Sequence, residues 1–470
     1  MVRQILLHEL RQQARNKIFL ILLPLTLVLA VLIALTHWKQ QQSFSQSQQK
    51  WQEKNEELWR SQPDRHPHRV AHYGSMVFKP VSPLNFIDAG VNPFVGNALF
   101  LEAHRQNSSS IKQFQFGASN LALGYPSLAT LILALWPLVL ITLAYSTFSG
   151  ERERGTLKMA LALGVPWRAM FFGKAFAYSL ISMTLLVILF GGVAFLLLQM
   201  AASADLWLRF GALFFLYSIY CGIWVAAVVS VSAISRTNQQ SLWSLLCAWL
   251  LAVVLIPRFI PTISQTLHPL PDRATFDVAL ATTLEKLGNS HDPDDPHFSR
   301  FREQVLQQYN VSSVEKLPVN WRGLVMAEGE RLTSVAFHTH YNELHRQFAR
   351  QDSLRDKLAW LSPYALVKLL SSRLAGTAAA DFYEFERQAE TFRYDMIQKL
   401  NRHHTHDIRF ENDRQQKLDR HALLDFSGFE FQPVSMANNA RSGVFVLYLI
   451  PWLALMLYLG SRRKLARSVI

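Results

Sequence analysis

Residues 149–174, SGERERGTLKMALALGVPWRAMFFGK, carry seven charges between two apolar runs that carry none. LALGYPSLATLILALWPLVLITLAYSTF (121–148) precedes the stretch and AFAYSLISMTLLVILFGGVAFLLLQM (175–200) follows it. Each run is long enough to cross a hydrocarbon core of about 30 Å. The stretch between them is therefore a short connection at a membrane surface, yet it is built to be helical. Glu151–Leu163 reads as a helix, with Gly164 just past its end and Pro166 beyond as a stop signal. Glu151 and Glu153 fall in its first turn, where the helix dipole favours negative charge. Leu157, Ala160 and Leu161 give it a small apolar face. Pro166 opens the next helix, and Trp167 and Arg168 sit where an interfacial aromatic and a lipid-facing cation belong.

Half of the 470 residues are apolar and 17% are charged, against about 25% charged in a soluble globular domain. The apolar residues gather near 18–36, 124–147, 175–199, 208–233, 241–257 and 443–460. The expected fold class is thus an all-α membrane protein with six transmembrane helices. Orientation follows from the basic residues of the short connections. The first 17 residues carry +3 (Arg3, Arg11, Arg15 and Lys17 against Glu9). The 149–174 stretch carries +3 (Arg152, Arg154, Lys158, Arg168 and Lys174 against Glu151 and Glu153). Arg236 adds one, and the tail adds four through Arg462, Arg463, Lys464 and Arg467. An even number of spans puts all four pieces on one side, read as the cytoplasm. The net charge of +13 then reflects topology and anionic lipid, with no nucleic-acid partner.

The chain divides into an amphipathic interface helix (1–17), a first span read as a retained anchor (18–36), and a small mixed extracytoplasmic domain (37–123). A second span (124–147), the cytoplasmic segment 148–174 and spans three to five (175–257) follow. A larger, mainly helical extracytoplasmic domain (258–441), a sixth span (442–460) and a basic tail (461–470) complete it. In the first helix Val2, Ile5, Leu6, Leu10 and Ala14 share one face, and a short helix is expected around 44–60. Cys221 and Cys247 fall within spans and read as buried free thiols. The extracytoplasmic regions contain no cysteine, so no disulfide holds them.

In the larger domain, Ser362 caps a helix with Pro363 at its first position. Gly376 ends it, and Thr377 is placed to cap the next. Leu366, Leu370 and Leu374 form a stripe on the first helix, and Phe382, Phe385, Ala389, Phe392 and Met396 form one on the second. The pair is expected to be a helical hairpin packed on its own domain or on the outer ends of the spans.

The charged stretch resembles the cytoplasmic loop of type-2 ABC exporter permeases. The matching residues are Glu151-Arg152-Glu153-Arg154-Gly155-Thr156-Leu157, then Gly164-Val165-Pro166 and Gly173-Lys174. A second set, Ser362-Pro363, Leu374-Ala375-Gly376-Thr377, Phe385 and Phe392-Arg393, is similar to a motif in a branch of these permeases. That branch has large extracytoplasmic insertions after the first and fifth spans, and its function is not established. Where it is expected to have Tyr-Arg, this chain has Phe392-Arg393, which keeps the packing and lacks the hydroxyl. The resemblance implies residence in a bacterial inner membrane, coupling through residues 151–157 to a separate ABC ATPase subunit that binds ATP and Mg, and a second permease subunit. It also implies that the chain is no enzyme and holds no cofactor of its own.

No G-x-x-x-x-G-K-[ST] occurs; Gly173-Lys174 lacks the preceding glycine and the following hydroxyl. Ion coupling calls for ionisable groups inside the spans, and none lies in their expected interiors, Arg209 being near an end. His338, His340 and His345 lack zinc-protease spacing and, with His403, His404 and His406, read as exposed helix surface. The loop 291–297, HDPDDPH, reads as a solvated turn, so no metal site is expected. The rival to a permease is a membrane-anchored sensor or assembly scaffold whose outer domain does the recognising.

Overall fold

The computed structural model describes residues 1–107, 127–200, 202–288, 290, 292, 294–419, 428–436 and 447–462. The expected start of the second span (124–126), the start of the sixth (442–446), His291, Pro293 and the tail from 463 lie outside the described residues. Helices dominate, with one two-stranded sheet among the described residues. Among the described residues, five helices are long and apolar enough to cross a membrane.

Helix α1 (Val2–Ala14) leads into α2 (Lys17–Arg60), capped by Asn16, whose side chain accepts from Ile18 N at 3.0 Å. The 44 residues of α2 extend about 66 Å at 1.5 Å per residue, twice a hydrocarbon core. The short helix expected near 44–60 is instead the polar half of this one helix. Gln, Lys and Glu propagate helix well, and no glycine or proline intervenes between Pro24 and Pro63. A short α3 (Pro67–Ala71) precedes the antiparallel hairpin of β1 (Ser75–Phe78) and β2 (Ala98–Leu101), with Ser75 opposite Leu101.

The second membrane-length helix is α4 (Leu128–Glu153). A short α5 (Thr156–Ala162) follows, then α6 (Trp167–Gln199), α7 (Ala204–Ile234) and α8 (Asn238–Leu267). Helix α6 opens after Pro166, as expected, ahead of the apolar run that starts at 175. Helix α8 runs to Leu267, not 257, although it contains Pro257. A wide π-turn at Leu250–Leu255 stands directly before that proline, as another at Leu131–Leu135 stands before Pro137. The wider turn accommodates a residue that has no N–H and crowds the preceding carbonyls. Cys221 is buried, but Cys247 is exposed on α8, against the expectation for both.

Beyond the spans come α9 (Arg273–Leu287), α10 (Pro296–Gln308), α11 (Trp321–Leu358), α12 (Pro363–Ala375) and α13 (Ala379–His406). The described part of the sixth expected span is α14 (Leu449–Ser461), a 13-residue apolar helix against α7. The signals around α12 are met: Ser362 Oγ accepts from Ala365 N at 3.1 Å, and Gly376 is left-handed at φ 69°. The hairpin is not. Leu366, Leu370 and Leu374 join the core of the apolar helices with Leu213 and Tyr217. Phe382, Phe385 and Ala389 pack instead on Val77, Leu99 and Leu101 of the sheet. Thr377 does not cap α13 either. Its hydroxyl donates to Asp88 O at 3.0 Å, while Asp381 accepts from Ala378 N. A fully buried Asp88 draws α12 toward the spans, because it receives both Lys368 Nζ and Ser371 Oγ.

Candidate functional site

The segment joining α4 to α6 is held by charge rather than by apolar contact alone. Lys174, at the edge of the expected third span and two turns inside α6, is 3% exposed and reaches two carboxylates. Its Nζ lies 2.8 Å from Glu9 Oε2 and 2.9 Å from Glu151 Oε1. Tyr178 OH and Thr147 Oγ1 donate to the other Glu9 oxygen at 2.8 and 3.1 Å, and Gln13 Nε2 donates to Tyr178 OH at 2.9 Å. Helix α1 thus docks on α6 with Glu9 and Gln13 facing inward. Ile5 and Leu10 of its expected apolar face pack on the same core. The docking needs Gly173, because a Cβ there falls 2.8 Å from Ile5 Cβ. Gly173→Leu is expected to lift α1 from α6, and faster proteolysis within residues 2–16 checks this.

The neighbouring charges close onto the α7–α8 turn. Arg152 donates to Ala233 O at 2.7 Å and to Ser235 O, two carbonyls at the end of α7. Glu153 accepts from Asn238 N at 2.8 Å and Asn238 Nδ2 at 2.6 Å, at the start of α8. Trp167 Nε1 donates to Gly460 O at 3.1 Å near the end of α14. The N-terminal helix, the 154–166 connection, the turn beside Arg236 and the end of α14 therefore meet at one end of the bundle. Three of them carry basic residues that set the expected orientation, and the fourth ends just before Arg462 of the tail.

The expected single helix over 151–163 is broken. Gly155 adopts φ 75°, and α5 begins after it, with Thr156 Oγ1 donating to Glu151 O at 3.1 Å. Leu157 is fully buried and pins α5 to the bundle. Arg154, Lys158, Met159 and Leu163 are exposed, Leu163 at 78%. Of the seven residues expected to face an ATPase, Glu151, Arg152, Glu153 and Leu157 bind the chain's own helices. The outward surface is carried by Arg154, Gly155 and Thr156, together with Lys158, Met159 and Leu163, which lie outside the motif.

The second motif is divided between two places. Ser362, Pro363, Leu374, Ala375, Gly376 and Thr377 hold α12 against the apolar helices and Asp88. Phe385, fully buried, and the partly buried Phe392 both meet Phe429 edge to face. Arg393 is 1% exposed and pairs with Glu390 in a fork, through Nε at 2.8 Å and Nη2 at 2.7 Å. Its Nη1 reaches Glu330 Oε1 at 2.6 Å and Glu102 O at 3.2 Å. Burial alone would raise the Glu330 carboxyl, but the His104 contact and the Arg393 charge hold it down at about 2. Burial opposes the charge on Arg393 too, and Glu390 and Glu330 hold its pKa above the usual arginine value.

The histidines read as exposed surface have separate partners. His340 Nε2 lies 2.8 Å from Thr283 Oγ1, and the His345 ring lies tilted against Tyr383, centroids 5.0 Å apart. His403 pairs with Asp407 at 2.6 Å, whereas His404 is buried with Nε2 2.7 Å from Asp413 Oδ1. Asp295 of the acidic loop caps α10 by accepting from His297 N at 2.8 Å.

Residues 273–432, from α9 to the segment beyond α13, match the model of a domain of unknown function, DUF3526. The match is what this third of the chain is similar to, and it includes the whole second motif. No curated protein matches the chain.

Proposed function

We propose that this chain is the permease subunit of an ATP-driven exporter of the inner membrane, worked by a separate ATPase subunit and paired with a second permease subunit. The reading rests on one observation above the rest. A short helix with an exposed apolar and basic surface, Met159, Leu163, Arg154 and Lys158, stands at the bundle end where the basic segments meet. Leu157 pins it to the bundle, and the end of α4 that leads into it is fastened by Glu151, Arg152 and Glu153 to α6, α7 and α8. A force applied to α5 is passed to three long helices at once, which is what coupling nucleotide closure to a change of pathway requires.

The four basic regions favour a cytoplasmic position for this end by the positive-inside rule. The helices beyond the spans, with the sheet, then lie outside, where they gate the exit or receive a partner.

The test uses the full chain co-expressed with its candidate ATPase. The double variant Met159→Asp/Leu163→Asp is expected to lower the ATPase retained on the purified chain at least several-fold. Thermal unfolding of the chain should stay unchanged, because both side chains are exposed. Full retention by the folded variant contradicts docking at α5.

A further inference from the structure

We infer that His68, His72 and His104 form a binding site for one divalent transition-metal ion, held by three imidazole nitrogens with a further position open to water. One ligand atom from each of the three lies within 4.8 Å of the other two. The inference does not rest on the permease reading, since it concerns the region between α2 and α13.

The sequence HPHRVAHY (66–73) explains two of the ligands. Pro67 starts α3, and His66 caps it, its Nδ1 accepting from His68 N at 3.3 Å. His68 and His72 are four apart, on one helix face. Their rings meet edge to face with centroids 4.7 Å apart. His-x₃-His on a helix is a spacing that two nitrogens on one metal accept.

The third ligand comes from the end of β2. Ala103 N donates to Ala71 O at 3.2 Å, which brings the β2 turn onto the end of α3 and places the His104 ring 5.3 Å from that of His72. His104 sits at φ 62°, a left-handed conformation that a non-glycine residue adopts only when its surroundings hold it there. It is imposed from both sides. His104 N donates to Glu330 Oε2 at 2.9 Å, and Arg393 Nη1 holds Glu102 O.

The orientation of His104 is the strongest single argument. Its Nδ1 is 3.1 Å from Glu330 Oε2, so Nε2 is the coordinating nitrogen. A buried carboxylate on the far nitrogen of a ligating histidine fixes the tautomer and strengthens the ligand. Glu330 is itself held at 2.6 Å by Arg393. The motif residue Arg393 thereby orients the site through Glu330 without touching it.

A nearby group of two histidines and an aspartate does not qualify. His66, His404 and Asp413 also converge, all buried. There Asp413 Oδ1 already accepts from Asn320 Nδ2 at 2.8 Å and faces His404 Nε2 at 2.7 Å, and Oδ2 pairs with Arg322. That carboxylate is saturated by protein donors. The His68 group has no carboxylate among its ligands and is partly open to solvent, with His72 exposed. Three imidazoles suit zinc, copper or nickel rather than magnesium or calcium.

The test takes tag-free full-length protein in detergent, stripped with chelator, and titrates it with Zn²⁺ by calorimetry near neutral pH. One equivalent is expected. His72→Ala, at an exposed position, and His104→Ala should each remove it. Glu330→Gln should weaken it about 10–100-fold, while the exposed His338→Ala leaves it unchanged. Co²⁺ added to the unaltered protein should give the visible spectrum of a nitrogen-ligated, low-coordinate ion, a readout independent of how any variant folds. Absence of a bound equivalent, or undiminished binding by folded His72→Ala, overturns the site. So does an octahedral water-like Co²⁺ spectrum.

Discussion

Replacing Lys174 by methionine is expected to destabilise the bundle by about 3–5 kcal/mol, the usual cost of stranding a buried charge. Glu9 is 2% exposed, and Lys174 is its cation at 2.8 Å. Methionine fills a similar volume, so lost packing adds little. Removing the carboxylate as well, in Glu9→Gln/Lys174→Met, should restore much of the loss, because only the more exposed Glu151 is then left without this cation. The difference between single and double variants isolates the pair. Thermal unfolding of the purified chain in detergent reads both. A single variant that melts with the parent would show that α1 is fastened by its apolar contacts alone. Reversal of Glu151 acts through the same cluster, so loss of a partner on that change would report a disturbed bundle rather than a lost contact.

The second large effect is at Arg393. Arg393→Leu leaves Glu330 and Glu390, 0% and 4% exposed, without their shared cation, and again about 3–5 kcal/mol is expected. Here the loss falls on α11, α13 and the β2 turn rather than on the spans. Limited proteolysis should cut within 273–432 before the apolar helices unfold. Arg393→Lys keeps the charge but cannot pair in a fork with Glu390 while reaching Glu330; an intermediate loss is expected. Protease resistance equal to the parent in Arg393→Leu would show that the three-residue network does not hold this region together.

How much of this is legible in the sequence depends on how local each signal is. Ser362, Pro363 and Gly376 mark the bounds of α12 because caps and left-handed turns are settled within a few residues. The apolar runs mark five long helices for the same reason. What α12 packs on is not local. Its leucine stripe fits any apolar surface, and the choice of the span core is made by Asp88, which lies 280 residues before its partner Lys368.

The ends of the spans are misplaced where one residue is judged alone. Lys174 reads as the edge of a membrane segment until Glu9, 165 residues away, is seen to neutralise it. The apolar run ends at Pro257, whereas α8 continues to Leu267 past the π-turn before that proline. In the site itself, Glu151–Leu157 is legible as a helical, charged connection, but which of its charges face outward is not. That depends on Ala233, Ser235 and Asn238. The histidines show the same limit. HTHYNELH and HHTHD are dense in sequence and disperse in space, whereas His104 joins His68 and His72 only through the hairpin. The available signal, two histidines four apart just after Pro67, lies outside both dense runs.

The most direct test of the central claim places a photo-crosslinking residue at Leu163 of the full chain in its native membranes and identifies the adducts by mass. The account predicts a soluble P-loop ATPase as the main adduct, absent when the crosslinker stands at the buried Leu157. Adducts to lipid alone, or to a protein without a nucleotide-binding motif, would contradict the permease reading and favour a scaffold.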